Sequence, residues 1–489
     1  MKNFHVAIIG GGVIGSAVAW ELSKYKLDVV VFEKGVDVCS GNSKANSGVV
    51  HSGINSPPGS LKARFCVQGN KMFQELSEKL GFSLKWVGKY IIAKDEEETN
   101  ELERLKKVGE ENNVPGLEIL SGREVKQKEP NVSCYRGLWV PTAGIVLPYE
   151  FTIALAENAV LNDVVFYLET KVNGLKKTKD GFLIETNKGV FQSRVVINAA
   201  GLNCRDVVSM LEKPDFNVYP CRGEYLILDK EYSSLVNSMI YPVPVKELGV
   251  LGVHITPTIE GNILLGPSAE FIDDLEATCT TRDMMKTLME EVRVIIPDIP
   301  EEGVISAYSG IRCKLASPSE GGWADFRIEE SRKNPGLINL LGIESPGLTA
   351  APAIAKKISD MLSDFFDMSL KDDFKTKRIF DKRFSEMSLD EKSKLVKNNN
   401  RHGRIICRCE QVTEGEVIDA LSNLLGAKSL SSVKYRCRAG MGRCQGGFCT
   451  QHIVRVMEKN FDMDVKEIKL KSSESNLFVG RTRETSEEG

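Results

Sequence analysis

Several features are missing or scarce in this chain of 489 residues, and each scarcity excludes a class of protein. Basic residues number 64 and acidic residues 67, so the sequence lacks the broad positive field of a nucleic-acid-binding protein. No apolar run reaches the roughly 18 residues of a membrane-spanning helix, and no signal peptide is evident. We therefore expect a cytoplasmic protein without a transmembrane segment, which a partner subunit could hold at a membrane surface.

Disulfides are not expected either, because the 12 cysteines are scattered along a chain without a secretion signal. Near the C-terminus, however, cysteines form two close pairs: Cys407 with Cys409 and, after 34 intervening residues, Cys444 with Cys449. Two such pairs can supply the four thiolates that a 2Fe-2S cluster requires. Glycines in the segment 438–449 would let backbone amides hydrogen-bond to the cluster sulfurs.

Two questions about these cysteines stay open. A structural zinc ion also accepts four thiolates in a small closed domain, although the spacings within the two pairs, one residue and four residues, favour zinc less. Cys437 lies seven residues before Cys444 and is a fifth candidate ligand, so the identity of the third ligand is not fixed. We favour Cys444 because the glycine-rich segment surrounds it.

A dinucleotide-binding turn is predicted at the N-terminus, where a short apolar strand leads through a G-x-G-x-x-G pattern into a helical pattern. Gly10 permits the turn, Gly12 lets a diphosphate approach the backbone, and Gly15 allows close helix packing. A second apolar strand ends in Glu33, whose carboxylate can bind ribose hydroxyls and would repel the 2'-phosphate of NADP. FAD and NAD both fit this turn, and a glycine-rich turn without a ligand is the structural alternative.

Six further segments decide between FAD and NAD by resemblance. They are 46–53 (NSGVVHSG), 58–64 (PGSLKAR), 144–149 (GIVLPY), 195–201 (VVINAAG), 309–312 (SGIR) and 344–349 (ESPGLT). Over residues 1 to 365 the chain resembles the D-amino-acid-oxidase-like FAD superfamily, and within it the L-2-hydroxyglutarate and glycerol-3-phosphate dehydrogenases. This resemblance implies a fold of the α/β and α+β classes, in which a Rossmann-like FAD-binding domain is interleaved with an antiparallel-sheet substrate domain.

The same resemblance implies the cofactor contacts. FAD is expected to be noncovalent, because no motif matches the cysteines that attach flavin at its 8-alpha position. A helix predicted over 349–366 would direct its N-terminal amides at the pyrimidine end of the flavin. Besides the glycine turn and Glu33, the expected FAD-binding residues are Lys34, Ser47, Gly48, Val172, Gly201, Gly347, Leu348 and Thr349.

Hydride transfer also needs a base for the hydroxyl proton, and the chain has only 5 histidines. His254 is the preferred base because its segment belongs to the sheet predicted to cover the flavin, with a structural histidine as the alternative. His51 follows the flavin-facing glycine segment and could instead contact the isoalloxazine or the substrate. The other three histidines fall at a strand start, in a charged linker and in the C-terminal domain.

The resemblance assigns the substrate anion to Arg312, whose planar guanidinium suits that task, although a structural salt bridge is the alternative. Lys62 and Arg64 could add positive charge near the same anion or bind an FAD phosphate, but such residues more commonly lie on an exposed face. Tyr225 and Arg222 are candidates for the pocket lining from the strand pattern alone.

The C-terminal cysteines resemble those of a bacterioferritin-associated-ferredoxin-type 2Fe-2S domain, which implies a small helical fold. A fusion of this domain to the flavin domain resembles the prokaryotic anaerobic-type glycerol-3-phosphate dehydrogenases and related amine or hydroxyacid dehydrogenases. That family commonly passes electrons to partner subunits, so we expect an electron-accepting flavoprotein or iron-sulfur subunit in a hetero-oligomeric complex.

The expected function is therefore oxidation of sn-glycerol 3-phosphate by FAD, with electrons passing through the 2Fe-2S cluster to a partner. Dehydrogenation of L-2-hydroxyglutarate, or of another 2-hydroxy or amino acid, is the second possibility. A peroxide-forming oxidase is the third. A non-catalytic FAD and 2Fe-2S electron-transfer subunit is an alternative from a different class.

Composition and periodicity predict how the chain is divided. We expect an oxidoreductase domain at 1–367, a charged linker at 368–403, the 2Fe-2S domain at 404–460 and a tail at 461–489, either disordered or draped on a neighbour. Within the first domain, 1–80, 145–215 and 305–367 are assigned to FAD binding, and 81–144 and 216–304 to the substrate domain. A solvated helix is predicted over 96–112, and strands over 165–201, 222–228 and 250–265.

Overall fold

The computed structural model describes residues 2–244, 252–378, 380 and 382–480. Val250 and Leu251, at the start of a predicted strand, and residues 481–489 of the predicted tail lie outside the described residues. Across the described part, no helix is both long and apolar enough to cross a membrane.

Strands and helices are numbered in chain order. The strands are β1 (Lys2–Ile9), β2 (Val29–Phe32), β3 (Val49–Val50), β4 (Leu84–Lys85), β5 (Lys89–Ala93), β6 (Glu118–Ser121), β7 (Arg136–Val140), β8 (Gly144–Val146), β9 (Val165–Tyr167), β10 (Val172–Thr178), β11 (Gly181–Thr186), β12 (Gly189–Asn198), β13 (Tyr219–Leu228), β14 (Met239–Pro242), β15 (His254–Pro257), β16 (Ile263–Gly266), β17 (Glu270–Phe271), β18 (Val304–Lys314), β19 (Arg327–Glu330), β20 (Leu337–Leu341), β21 (Ile405–Cys407) and β22 (Val412–Thr413). The helices are α1 (Val13–Leu22), α2 (Leu61–Leu80), α3 (Glu96–Glu111), α4 (Gly122–Lys128), α5 (Pro148–Leu161), α6 (Cys204–Ser209), α7 (Arg282–Ile295), α8 (Gly347–Leu362), α9 (Leu389–Asn398), α10 (Glu414–Leu421), α11 (Leu430–Cys437) and α12 (Thr450–Phe461).

The first sheet has eight strands over the described residues, in the order β10-β11-β12-β1-β2-β9, with β20 beside β12 and β19 beside β20. β1 runs parallel to both β12 and β2, and Val6, Ile8 and Val31 on these strands are fully or almost fully buried. Continuous burial is typical of parallel strands covered on both faces. Helix α1 packs against α5 and α8. This arrangement confirms the predicted Rossmann-like part.

The second sheet has nine strands over the described residues and is largely antiparallel, in the order β17-β13-β16-β15-β14-β5-β7-β6, with β18 beside β13. Helix α7 covers it through the buried Leu288 and Val292. The sequence assigns 305–367 to the FAD-binding part, but β18 pairs antiparallel with almost the whole of β13 and so belongs to this second sheet. Hydrogen bonds to a strand that is distant in the sequence determine where β18 lies, and the local sequence pattern of β18 does not reveal its partner.

The charged linker contains a helix, because Ser388 and Glu391 form a capping box that starts α9. Upstream of α9, the linker lies along the first domain. Arg378 pairs with Glu157 at 2.6 Å and Arg383 pairs with Glu150, both on α5.

Helices α10, α11 and α12 form the predicted small helical domain, with an apolar core of their own. Part of the predicted tail belongs to it, because Ile468 is fully buried in that core. The segment then folds back through a bridge between Lys469 and Asn476, and we call residues 469–476 the C-terminal hairpin. Lys469 also forms an ion pair with Glu169 of the first domain. The described part of the tail is therefore held against its own chain.

Candidate functional site

The glycine turn between β1 and α1 has the geometry that its sequence predicts. Gly10 adopts a φ of +109°, which side chains rarely tolerate, and its N–H donates to the Phe32 carbonyl at 2.9 Å. A Cβ at Gly15 would overlap the Gly10 carbonyl oxygen, so α1 can approach the turn only through a glycine. Gly12 is the N-cap of α1 and lines a large cavity. A dinucleotide diphosphate fits a turn of this kind, because the N-terminal end of a helix favours negative charge and this one borders the cavity.

Glu33 is buried at the end of β2, and both of its carboxylate oxygens accept backbone hydrogen bonds. Gly11 N donates to Oε2 at 2.7 Å and Gly35 N donates to Oε1 at 2.6 Å. Burial raises the pKa of Glu33, and the two amides oppose that shift. A carboxylate oxygen has two lone pairs, so each oxygen can accept another hydrogen bond from a ribose hydroxyl in the cavity.

The cavity has a volume of about 2200 Å³ and runs from the glycine turn to the second sheet. Its lining includes twelve of the predicted site residues: Gly10, Gly12, Glu33, Lys34, Ser47, His51, Val172, Gly201, His254, Arg312, Gly347 and Leu348. Gly15, Gly48 and Thr349 lie behind this lining. Gly48 has a φ of +66° and packs on the Val146 carbonyl, while Thr349 Oγ1 accepts the His51 N–H at 2.9 Å.

His254 is buried on β15 and its ring is held on three sides. Nδ1 lies 3.2 Å from the Gly252 carbonyl, which can only accept, so Nδ1 carries the proton. Nε2 is then an acceptor, and it lies 3.3 Å from Ser47 Oγ. The ring stacks on Tyr241 with centroids 3.9 Å apart. Burial lowers the pKa of His254 to about 3, so the imidazole is neutral near physiological pH.

His51 lies four residues after Ser47 in the same sequence segment and also lines the cavity. Its Nε2 lies 3.4 Å from Ser345 Oγ, just before α8. Burial, and then the charge of Lys89, lower the pKa of His51 to about 3. The cavity therefore contains two neutral imidazoles, and each of them can accept a proton.

Arg312 reaches the same cavity from β18. Its Nη1 donates to the Ser268 carbonyl at 3.1 Å, and the guanidinium lies beside Gly223, where a Cβ would come within 3.0 Å of both Nη1 and Nη2. Among the described residues, no carboxylate forms an ion pair with Arg312. Its remaining donors are therefore available to an anion in the cavity.

Of the other basic and aromatic candidates, some line the cavity and others do not. Lys62 is buried in the cavity wall in an ion pair with Glu344 at 2.8 Å, whereas Arg64 is exposed and does not line the cavity. Tyr225 lines it, and its hydroxyl lies 3.2 Å from Ser47 Oγ. Arg222 is held away from the cavity by its ion pair with the exposed Glu270.

Lys89 is a residue that sequence reasoning missed. It is fully buried at the start of β5, where its Nζ donates to Asn55 Oδ1 at 3.3 Å and lies 4.7 Å from the centre of the Tyr241 ring. Burial lowers the pKa of Lys89 to about 8. A lysine at the start of a strand normally lies at the surface, so no local feature of the sequence identifies this one. The fold brings it close enough for its charge to lower the pKa of both His51 and His254.

The four predicted cluster cysteines come together as two pairs of thiols. Cys409 Sγ lies 3.6 Å from Cys444 Sγ at the surface, and the buried Cys407 thiol lies beside that of Cys449. Within the described residues, no three metal-binding side chains converge on one ion position. A 2Fe-2S cluster instead takes two thiolates at each of two irons, which these pairs can supply.

The glycines around Cys444 have the conformations that the predicted cluster loop needs. Gly440 and Gly446 have φ values of +91° and +88°, and a Cβ at Gly442 would overlap the Cys409 side chain. Cys437 is buried and its Sγ donates to the Val433 carbonyl one turn earlier in α11. This geometry favours Cys444 over Cys437 as the third ligand.

The cluster loop forms part of the cavity wall through Met441, Gly440 and Gly446. The Tyr149 hydroxyl joins it to the first domain, because it donates to Met441 Sδ at 3.5 Å and accepts from Arg438 Nη1 at 3.1 Å. The predicted cluster loop and the predicted FAD-binding residues thus line one cavity.

Comparisons with known proteins agree with this geometry. Residues 5–361 match the family described as FAD dependent oxidoreductase, and residues 405–459 match the BFD-like 2Fe-2S binding domain. The chain is 40% identical over 483 residues to a glycerol 3-phosphate dehydrogenase of Caloramator mitchellensis, covering 98% of this chain and 99% of that protein. It is 33% identical to the mitochondrial L-2-hydroxyglutarate dehydrogenase of Arabidopsis thaliana, covering 73% and 83%.

A solved structure gives the same result. Dithionite-reduced L-alpha-glycerophosphate oxidase from Mycoplasma pneumoniae, with FAD bound, is 32% identical with a TM-score of 0.73, and the match covers 78% of this chain and 100% of that one. Together these matches confirm the predicted resemblance of both parts and the two predicted cofactors, FAD and a 2Fe-2S cluster.

Proposed function

Because this chain belongs to the FAD-dependent oxidoreductase family, we propose that it oxidises sn-glycerol 3-phosphate to dihydroxyacetone phosphate and delivers the electrons to a partner protein. The predicted enzyme class, an FAD-dependent dehydrogenase, is confirmed by the family and by its relatives. When bound, FAD supplies the hydride acceptor and the 2Fe-2S cluster supplies one-electron transfer.

One observation carries the substrate proposal: Arg312, without a carboxylate partner among the described residues, lines the same cavity as the neutral His254. A phosphate or carboxylate bound to Arg312 would hold the substrate's secondary alcohol in that cavity. The full-length similarity to a glycerol 3-phosphate dehydrogenase favours phosphate over the carboxylate of L-2-hydroxyglutarate.

Proton removal is assigned to His254. Its Nε2 is unprotonated and lies beside Ser47 Oγ, so the hydroxyl of a bound substrate can donate to the pair as its C–H bond breaks. Ser47 and Tyr225 orient the ring edge, and Tyr241 fixes the ring plane. His51 is the second candidate for this role, on the side of the cavity next to α8.

The substrate assignment is tested by anaerobic titration of the purified holoenzyme. We expect sn-glycerol 3-phosphate to bleach the flavin absorption near roughly 450 nm, a band that the cofactor supplies, and L-2-hydroxyglutarate to leave it unchanged. Bleaching by L-2-hydroxyglutarate alone would replace the proposed substrate. Bleaching by neither compound would leave the electron-transfer subunit as the better proposal.

Replacing His254 with asparagine is expected to lower the rate of flavin reduction by at least about a hundredfold, because a positioned base contributes that much or more. Stopped-flow reduction by sn-glycerol 3-phosphate measures it, and His51→Asn is the comparison. The larger loss identifies the base. If both variants reduce flavin at the wild-type rate, neither histidine removes the proton.

The pH profile gives an independent check. Burial lowers the pKa of His254 to about 3, so the ring stays neutral and able to accept a proton as the pH falls from 8 to 5. We therefore expect kcat/KM to show no histidine limb near pH 6.5, the usual pKa of histidine. An acid limb there that disappears in His254→Asn would contradict the neutral, buried base.

An acceptor protein is proposed to bind where the cluster reaches the surface. Cys409 and Cys444 are exposed, whereas Cys407 and Cys449 are buried, so one edge of the cluster site faces solvent. This arrangement suits electron transfer to a separate protein better than peroxide formation at the flavin. Steady-state turnover with a one-electron protein acceptor, compared with peroxide production under air, distinguishes the two.

A further inference from the structure

The 2Fe-2S domain forms one side of the nucleotide end of the large cavity. From α11, Lys434 and Tyr435 line it, and from the C-terminal hairpin, Lys471 lines it. They face the loop that follows Glu33, because Arg436 pairs with Asp37 and the Tyr435 ring lies 5.9 Å from Lys44 Nζ. Residues from both domains therefore surround the space outside the glycine turn.

Lys44, Lys434 and Lys471 form a group of lysines that we call the lysine trio. Among the described residues, no carboxylate forms an ion pair with any of the three. The nearby carboxylates already have other partners. Asp37 pairs with Arg436, and Glu169 pairs with Lys469. Glu33 accepts hydrogen bonds from two backbone N–H groups, and the hairpin contributes the exposed Glu474 to the cavity lining.

Bringing three unpaired ammonium groups together is unfavourable unless an anion joins them. Burial is the main cause that lowers the pKa of both Lys44 and Lys434. Lys471 adds to the shift for Lys44 and Arg438 adds to it for Lys434, whereas Cys39, Glu33 and Asp37 oppose the first shift and Cys449 opposes the second. The positive charges of the trio would therefore be stabilised by a bound anion that carries more than one negative charge.

The position of Lys44 indicates which anion this is. It follows Ser43, whose Oγ accepts the Val13 N–H at 2.8 Å in the first turn of α1. That turn is where the glycine motif places a dinucleotide diphosphate. A diphosphate bound there would bring two negative charges into the cavity that the trio also lines.

We propose that the 2Fe-2S domain completes the FAD site, with Lys434 and Lys471 binding the FAD diphosphate from the side opposite the glycine turn, together with Lys44. This inference rests on the proposed function only in that FAD is the ligand, and it does not depend on the substrate. It makes FAD retention a property of both domains, because α11 and the C-terminal hairpin must be docked for the phosphate contacts to form.

The test measures FAD release from the full-length holoenzyme. The fluorescence of FAD is quenched in most flavoproteins, so a rise in flavin fluorescence on dilution measures the release of FAD. The ratio of FAD to protein after gel filtration is a second measure of FAD retention. For Lys434→Gln with Lys471→Gln we expect affinity for FAD to fall by about a hundredfold, at about tenfold for each charged contact. Added salt should weaken binding to the wild type more than to this variant.

Two controls separate charge from packing. The double variant Lys434→Arg with Lys471→Arg keeps both charges and should retain FAD within about threefold of the wild type. Lys459→Gln removes an exposed lysine of α12 that lies outside the cavity lining and should leave FAD binding unchanged. Iron content and the melting temperature report whether each variant is folded.

Each outcome gives a distinct answer. Loss of FAD in the glutamine variant alone supports the proposal. Equal FAD affinity in the glutamine variant and the wild type overturns it, and so does equal loss in the glutamine and arginine variants, which would indicate packing. A wild type that binds no FAD overturns the proposed cofactor itself, whereas a wild type that binds FAD but is not bleached by substrate contradicts only the proposed substrate.

Discussion

Replacing Arg312 with leucine is expected to lower kcat/KM for sn-glycerol 3-phosphate by roughly a thousandfold, because it removes the cation proposed to pair with the substrate anion in the cavity. Arg312 Nη1 contacts the Ser268 carbonyl and the Cys221 thiol, no carboxylate among the described residues pairs with Arg312, and the side chain lines the cavity. Steady-state kinetics with a one-electron acceptor measure the change.

The form of the loss is as informative as its size. We expect KM to rise steeply, because Arg312 binds a group of the substrate that does not react. Arg312→Lys should recover part of the affinity, since it restores the charge but not the planar pair of donors. FAD content and iron content should match the wild type in both variants.

Arg293→Leu is a matched control. Arg293 is a surface arginine of α7 whose ion pair with Glu301 lies outside the cavity lining. Its replacement should change kcat/KM by less than about twofold, because exposed ion pairs contribute little. If Arg312→Leu behaves like this control, the substrate anion is bound elsewhere, and the buried Lys62 becomes the next candidate.

Replacing Cys444 with serine is expected to abolish electron delivery to a one-electron protein acceptor while sn-glycerol 3-phosphate still bleaches the flavin. The two thiol pairs would supply all four ligands of the cluster, so losing one leaves an iron with an incomplete ligand set. Iron and sulfide should fall from about two of each per chain, the content of a 2Fe-2S centre. Anaerobic flavin reduction by substrate, measured per bound FAD, should stay within about threefold of the wild type, because the proposed substrate residues His254 and Arg312 belong to β15 and β18 and not to the 2Fe-2S domain.

Cys437→Ser is the matched control, and it also decides between the two candidate ligands. Cys437 Sγ donates to the Val433 carbonyl in its own helix, so its replacement should leave the iron content and the electron delivery intact. Loss of iron in Cys437→Ser with retention in Cys444→Ser would reverse the assignment of the third ligand. Intact acceptor reduction in a cluster-free Cys444→Ser would show that electrons leave the flavin directly.

A dinucleotide site and a four-cysteine cluster site followed from local residues and short spacings, whereas FAD and the FAD-dependent oxidoreductase family followed from the resemblance of six short segments. The turn at Gly10 needs a left-handed conformation, and α1 can approach it only at Gly15, so the residues themselves carry that information. The four cluster cysteines and the intervening glycines similarly restrict the loop that holds them. The helix predicted over 96–112 is observed as α3, since its charged amphipathic period is also a local property.

Only the tertiary structure decided how the site is assembled. Ser47 and His254 are 207 residues apart and meet because two sheets pack around one cavity. Whether a histidine is neutral depends on its burial, and the low pKa of His254 follows from the groups that the fold packs around it. The sequence placed β18 in the FAD-binding part because hydrogen bonds to a distant strand leave no local mark. The sequence determined the two cofactors and the residues predicted to hold them. Packing of distant segments determined which side chains meet, what charge they carry, and that residues of the 2Fe-2S domain line the same cavity as the glycine turn.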